Sequence, residues 1–567
     1  MKYAVALIFS LLAGRSRLQD EAPILIRVGT LIDGTGGPAQ RDRAILIERG
    51  VIRKIGDASM NVAGAKVIDL PDGTLLPGLI DCHVHLTYNP GGDFLPGERA
   101  IDLKIRLRSC LAAGVTTVRS LGDEPESVLP LREGVPRVFA AGAYFNSDNP
   151  DRIGPWMDRQ VALRVDLIKV WSTGRSRRTL TEVIRQAHAR GLRCVVHVDH
   201  REVALAALED GADGIEHSPR LMDDEIFRKL KEKNVFWVPT LAVNWHYAVG
   251  SSEVEKYLSR AEVRRLVPRV IHLSAQSTTR VEARRPPDGS DRERKRLEAA
   301  MRYVAKGYRE GVRIAAGSDA GMPNVFWGAA LLLELELLVQ AGLTPEQAVH
   351  CATGRAAEHL GREDIGTIRP GRLADLLLVR GDLSKGIRGI YSPHTVLSGG
   401  RIVAPKDFAA EYELPEQTDT PRFGSHTRIM TDQAWGGSST AQVEGTGPWR
   451  FSGEVRPGKK HYVVLGLDVS ERGFQAIDGK GHTGLRFRIR GKGPSLHLRL
   501  ASLPLSDYDF PSAAVPFSEE EKVVSIPFST LQAQDNRFDP SRIHLLQFVV
   551  SEPGTFEFWI RDFELYR

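Results

Sequence analysis

The chain is predicted to be an α/β protein built on a (β/α)₈ barrel of TIM type, with a small β domain beside the barrel and a β-sandwich after it. Three observations carry that expectation. Apolar strand-like runs alternate with amphipathic helical stretches through the middle of the chain, the pattern of a parallel sheet with crossover helices. Segments of short β-like runs flank this middle on both sides. After about Gly424 the helical pattern stops, and alternating strand runs punctuated by turns take over.

From the start of the chain, Lys2 precedes an apolar run, Tyr3 to Ala13, that ends at Gly14-Arg15. A basic start with such a run has the form of a secretory signal, and it is too short to cross a bilayer, which takes about 20 helical residues. Residues 1–22 are therefore assigned to export, a periplasmic or secreted location is expected, and no transmembrane anchor is expected. Leu11-Leu12-Ala13-Gly14 has the look of a lipoprotein cleavage site, but Arg15 stands where the lipidated cysteine belongs.

The runs ILIRVGTLID, AILIERGVIRKI and KVIDL return in texture as GTIRPGRLADLLLVRGDL and TVLSGGRIVAP. They are expected to pair as one composite β domain of residues 23–76 and 366–410. Residues 77–365 hold eight strand candidates: LIDCHVHL, VTTVRSL, RVFAAGAYF, DLIKVW, RCVVHV, GIEHS, FWVPTL and IAAGSD. That number suits a barrel, and no glycine-rich dinucleotide fingerprint follows any of them. The charged stretch Glu253 to Arg296 is expected to be a helical insertion before the last strand, either a solvated arm or a lid. A polar linker, Glu411 to Pro421, leads to residues 424–567, the expected sandwich.

Composition bounds the function. A chain of 567 residues is too long for one core, and 42% hydrophobic with 26% charged residues is ordinary for a soluble globular protein. With 76 basic against 71 acidic residues the net charge is +5, so no field favours nucleic acid and no nucleic-acid partner is expected. Cys82, Cys110, Cys194 and Cys351 are scattered, with no CxxC pair.

The chemistry gathers at strand ends. In PGLIDCHVH, His83 and His85 share one face because strand side chains alternate, and two imidazoles so placed can grip a divalent ion. Lys169 interrupts the apolar DLIKVW, where an unpaired ammonium is expensive to bury. His197 ends VVHV, His217 lies in GIEHS, and Asp319 ends AAGSD. Each alone has a structural explanation: a satisfied core histidine, a helix N-cap, a buried ion pair. Six ligand-type residues at the ends of strands one, four, five, six and eight point together to a site at the C-terminal mouth of the barrel.

These motifs, with AGSDAG, LTPEQAVHCAT and GTIRPGRLADLLLV, resemble the amidohydrolase superfamily over roughly Pro23 to Pro405, in the branch of imidazolonepropionase and the Xaa-Pro-type dipeptidases. The resemblance implies a binuclear site. His83 and His85 would hold one metal, His197 and His217 the other, a carboxylated Lys169 would bridge them, and Asp319 would contact metal and handle protons. Two Zn²⁺ are the expected ions. Four positive charges beside neutral imidazoles want an anionic bridge, which a lysine carbamate supplies and an ammonium does not. The ions would acidify a water and polarise a scissile carbonyl. The implied activity is hydrolysis of an amide C–N bond in a small molecule or short peptide. Lactone or ester hydrolysis and deamination fit the same site, and a catalytically silent glycan-binding barrel would not need the whole ligand set.

Two departures matter. Where several peptide-cleaving relatives carry Gly-Gly-His-Gly after strand three, this chain reads AAGAYFNSDNPDRIG. Tyr144 from that segment, and His200 beyond strand five, are expected to touch substrate; His246 is expected at the pocket or surface. The last block resembles the CIA30-type, galactose-binding-like β-sandwich through MTDQAWGGSST, VVSIPFSTL and FEFWIRDFELY, which implies either a glycan ligand or a scaffold. Protein recovered from its native host is expected to begin downstream of Gly14, and N-terminal sequencing checks this.

Overall fold

The computed structural model describes residues 22–87, 98–267, 287–403 and most of 417–567, apart from short gaps such as 146–148, 172–175 and 432–438. The proposed export signal and most of the Glu411–Pro421 linker lie outside the described residues. The chain forms two compact units, the first holding most of the described residues up to 403 and the second those from 417 on.

Seven of the eight expected runs hold a parallel barrel strand, β1 (Leu79–Val84), β2 (Val115–Ser120), β3 (Arg137–Ala140), β4 (Leu167–Trp171), β5 (Arg193–His197), β6 (Gly214–Glu216) and β7 (Phe236–Val238), and the eighth run, IAAGSD, begins on the last residue of β8 (Arg313–Ile314). Strands β1–β3 form one ladder and β4–β8 another. Backbone bonds close the two joints: Asp166 N–H to Ala140 C=O at 2.9 Å, and Cys82 N–H to Ala316 C=O at 3.0 Å. All residues of β1 and β2 are buried, as strands covered on both faces must be.

The helices outside follow the pattern that predicted them. After β4, the helix Arg177–Ala189 starts where the Ser176 side chain accepts the Thr179 N–H, and it buries Leu180, Val183, Ile184 and Ala187 along one stripe. Thr344 and Gln347 form a reciprocal capping box at the start of Pro345–Cys351. After the helix Leu241–Ala248, the expected insertion Glu253–Arg296 falls on the helices Ser251–Ser259, Ala261–Arg264 and the first part of Pro287–Arg309. Its first part is no solvated arm, because Val254, Tyr257, Leu258 and Val263 are buried; residues 268–286 lie outside the described residues.

The flanking β segments pair in one seven-stranded sheet, in the order 401–402, 393–398, 376–380, 66–77, 24–31, 40–48, 51–57. Leu376 and Leu378 lie opposite Pro77 and Leu75, so the C-terminal segment is registered directly on the strand that feeds β1. Gly78 makes that passage: a Cβ there would lie 2.3 Å from Thr116 Oγ1. Cys82, Cys110, Cys194 and Cys351 are buried and unpaired. No helix among the described residues is long and apolar enough to cross a membrane.

The second unit holds two arrays, one antiparallel and ordered 440–444, 449–455, 554–566, 484–492, 522–527, the other centred on 543–550 and antiparallel except where 417–418 pairs with 476–477. Their inward residues form one core that includes Trp449, Phe451, Phe487, Phe548, Phe556 and Phe558. The Phe487 and Phe548 rings meet edge to face at 5.4 Å. Phe487→Ala is expected to destabilise this unit by about 3–5 kcal/mol. Calorimetry checks this, with the transition of the barrel unit expected to stay in place.

Candidate active site

The site is built by where the barrel strands end. The strand period of two puts Asp81, His83 and His85 on one face of β1 and its continuation. Asp81 accepts the Ser318 N–H at 2.9 Å and the Ser318 hydroxyl at 2.6 Å, which ties β1 to the segment after β8. That segment approaches closely because residue 317 is glycine; a Cβ there would lie 2.8 Å from His83 Cβ. Asp319 then donates its N–H to the His83 C=O at 2.8 Å.

Three strand ends turn in left-handed backbone without glycine: His217 at φ 70°, Thr240 at 49° and Asp319 at 60°. Such residues cost on the order of 1–3 kcal/mol each and persist where the surroundings fix them. At His217 the turn has a visible effect. Glu216 and His217 are consecutive, yet both face the interior.

His85 Nε2 stands 3.1 Å from Asp319 Oδ1 and His83 Nε2 3.4 Å from the same oxygen, while His217 Nδ1 is 3.8 Å from Oδ2. One ligand atom each of His83, His217 and Asp319 falls within a span of 4.8 Å. The His197 ring packs against His217 at 4.4 Å between centroids. Burial works to raise the Asp319 carboxyl, but His83, His217 and His85 outweigh it and hold the group below its ordinary range. Burial, and then the charge of Lys169, pushes His83 down to about 4; burial and His197 hold His217 well below its ordinary value. Lys169 is 1% exposed, and its Nζ has no hydrogen-bond partner among the described residues. Burial brings that amine down to about 8, against the pull of Glu216 and Asp319.

The donor set suits divalent cations. It combines an anionic carboxylate with imidazoles disfavoured as cations, and His83 Nε2 has no hydrogen-bond partner among the described residues. The ammonium of Lys169 is the one misfit, and a neutral amine or its carbamate removes the misfit.

The remaining sequence expectations divide. Tyr144 is at the cluster, 6.3 Å from the His85 ring and 5.6 Å from Trp171, which in turn stacks on His197 at 4.3 Å. His200 is exposed and stands at the N-cap of the helix Arg201–Glu209, with no described contact to the cluster. His246 is neither at the surface nor shown in the cluster; it is buried, packed near Trp245 and Tyr257. Sequence reading missed Arg119, Glu216 and His359, a buried charged group beneath His83. The signal was present: a glutamate in GIEHS and an arginine in VTTVRS, each inside an apolar strand.

Comparison with known proteins finds relatives along the barrel. The amidohydrolase family profile matches residues 74–403. An uncharacterized protein of Mycobacterium tuberculosis is 26% identical over 373 residues, spanning 61% of this chain and 89% of its own length. The imidazolonepropionase of Nocardia farcinica is 26% identical over 371 residues, 60% of this chain and 85% of its own. A crystal structure of an Xaa-Pro dipeptidase superposes with a TM-score of 0.55 at 24% identity, over 68% of this chain and 100% of that one, a likeness of fold.

One further carboxyl supports the mouth. Glu334, fully buried on the helix Ala329–Gln340, accepts the Ala242 N–H at 2.7 Å, just beyond Thr240. Burial raises it from an ordinary 4.5 to about 8. The folded protein therefore keeps a proton that the unfolded chain releases, so this contribution to stability is full below 4.5 and is lost as pH rises through 8. Glu334→Gln keeps the acceptor and cannot ionise. Between about pH 5 and about pH 8 it is expected to lose less stability than wild type, by up to about 1.4 kcal/mol per pH unit, as read by denaturant unfolding.

Proposed function

The chain belongs to the amidohydrolase family, and from that premise we propose that it hydrolyses an amide C–N bond in a small molecule or short peptide, with two divalent cations at the barrel mouth. The observation that carries this reading is the convergence of His83, His217 and Asp319 donor atoms within 4.8 Å, at the strand ends where such barrels place their chemistry. In this reading His83 and His85 would hold one ion and His197 and His217 the other, with the carbamate of Lys169 and the Asp319 carboxylate as the anionic ligands.

When bound, the ions, zinc being the match for so many imidazoles, would supply Lewis acidity to a water and to the scissile carbonyl. The protein supplies the rest. Asp319, held ionised, accepts the proton of the attacking water and delivers it to the departing nitrogen. The neutral Lys169 Nζ adds to the carbon of CO₂ and loses one proton to solvent, leaving one negative charge shared over two oxygens where an ammonium would repel the ions. Burial favours the neutral amine this step needs. Trp171 and Tyr144 offer an aromatic wall to the substrate side chain. The imidazolonepropionase relative and the Xaa-Pro dipeptidase fold neighbour support a small amide as substrate class.

Zinc-loaded protein is expected to turn over members of a panel of dipeptides and N-acyl amino acids. Turnover of lactones alone would overturn the amide reading. Elemental analysis is expected to find about two ions per chain. Lys169→Ala is expected to lose activity by orders of magnitude and to bind metal poorly, and Lys169→Glu to keep more metal, since it restores an anionic ligand. Asp319→Asn is expected to fold normally and to lose about 10²–10⁴-fold in kcat.

A further inference from the structure

Beneath the cluster lie charges that the hydrolytic roles above leave unused. Arg119 on β2 and Glu216 on β6 are 1% and 0% exposed. A guanidinium does not give up its proton in a protein. Arg119 Nη1 therefore donates to His359 Nε2 at 2.6 Å, and Nη2 donates to Glu216 Oε1 at 2.6 Å. Glu216 so paired stands as a carboxylate, which only accepts. Its Oε2 is 2.7 Å from His83 Nδ1, so that nitrogen carries the proton and donates it. The His83 lone pair is left on Nε2, the atom 3.4 Å from Asp319.

In the other pair, His197 Nε2 lies 3.1 Å from Asp199 Oδ2, a carboxylate partly open to water where Glu216 is fully buried, and His217 is held by a different kind of partner. Its Nδ1 lies 2.8 Å from Thr240 Oγ1, a neutral hydroxyl. A carboxylate behind an imidazole fixes its tautomer and ring orientation and makes its far nitrogen a stronger donor, and a hydroxyl does this more weakly. Arg119 neutralises Glu216, so that the anion serves His83 and does not compete as a ligand.

We propose that Glu216 is a positioning residue that makes the two metal positions unequal, so that the ion at His83 binds more tightly than the ion at His217. This inference rests on the binuclear reading above. The test is zinc affinity of the full chain, measured by competition with a chromophoric chelator. Wild-type protein is expected to release zinc in two separated steps. In Glu216→Gln the tighter step is expected to weaken about 10–100-fold, with the weaker step moved by less than about twofold. A loss of packing alone would move both steps together, and that result, or an unchanged tighter step, overturns the proposal. Wild-type protein that takes up no zinc overturns the metal reading itself, and this inference with it. Glu216→Gln leaves Arg119 buried without its counter-charge, which is costly. If that variant fails to fold, Arg119→Met combined with Glu216→Gln removes both charges, and the same selective weakening is expected of it.

Discussion

Five ionisable side chains, Arg119, Glu216, His83, Lys169 and Asp319, are withdrawn from water inside one barrel, and burying a charge is costly unless it is matched. Three of them are matched within the protein: the arginine by the glutamate, the glutamate also by an imidazole. Asp319 is held as an anion by the histidines around it. The amine of Lys169 alone has nothing to donate to among the described residues. The folded chain thus carries an electrostatic debt at one point, and that point is the mouth where its ligand-type residues converge.

The composite sheet makes that convergence possible. Its strand 66–77 runs straight through Gly78 into β1, and residues 376–380 pair along it. The barrel entrance is therefore fixed at its first strand by chain that arrives after the barrel is finished. His83 and His85 inherit their orientation from a strand anchored at both ends, with Asp81 holding the far side to Ser318.

Much of this could be read from the chain. The barrel strands announce themselves as apolar runs spaced by helical stripes, and the two β segments share a turn-rich texture that allows them to pair in one sheet. His83 and His85 could be placed on one face by parity alone. Parity fails at His217, because Glu216 before it also points inward, and only the left-handed turn at φ 70° explains both. The partnership of Arg119 with Glu216 was out of reach for a different reason. It joins β2 to β6 across the barrel, and separation in sequence says nothing about which inward side chains meet there. His200, expected to touch substrate, stands exposed where the helix Arg201–Glu209 begins. His246, expected at the pocket or the surface, is buried on the helix Leu241–Ala248 near Trp245 and Tyr257.

The left-handed turns at His217, Thr240 and Asp319 carry one more consequence. Because each ligand or its support is aimed by a kink at the strand end, the loop that follows is not needed to aim it. Loops beyond these kinks can therefore change length and composition while the ligand atoms keep their places. A lineage carrying such a frame can trade one substrate for another by rewriting the rim, and the inherited hydrolytic machinery does not have to be invented again.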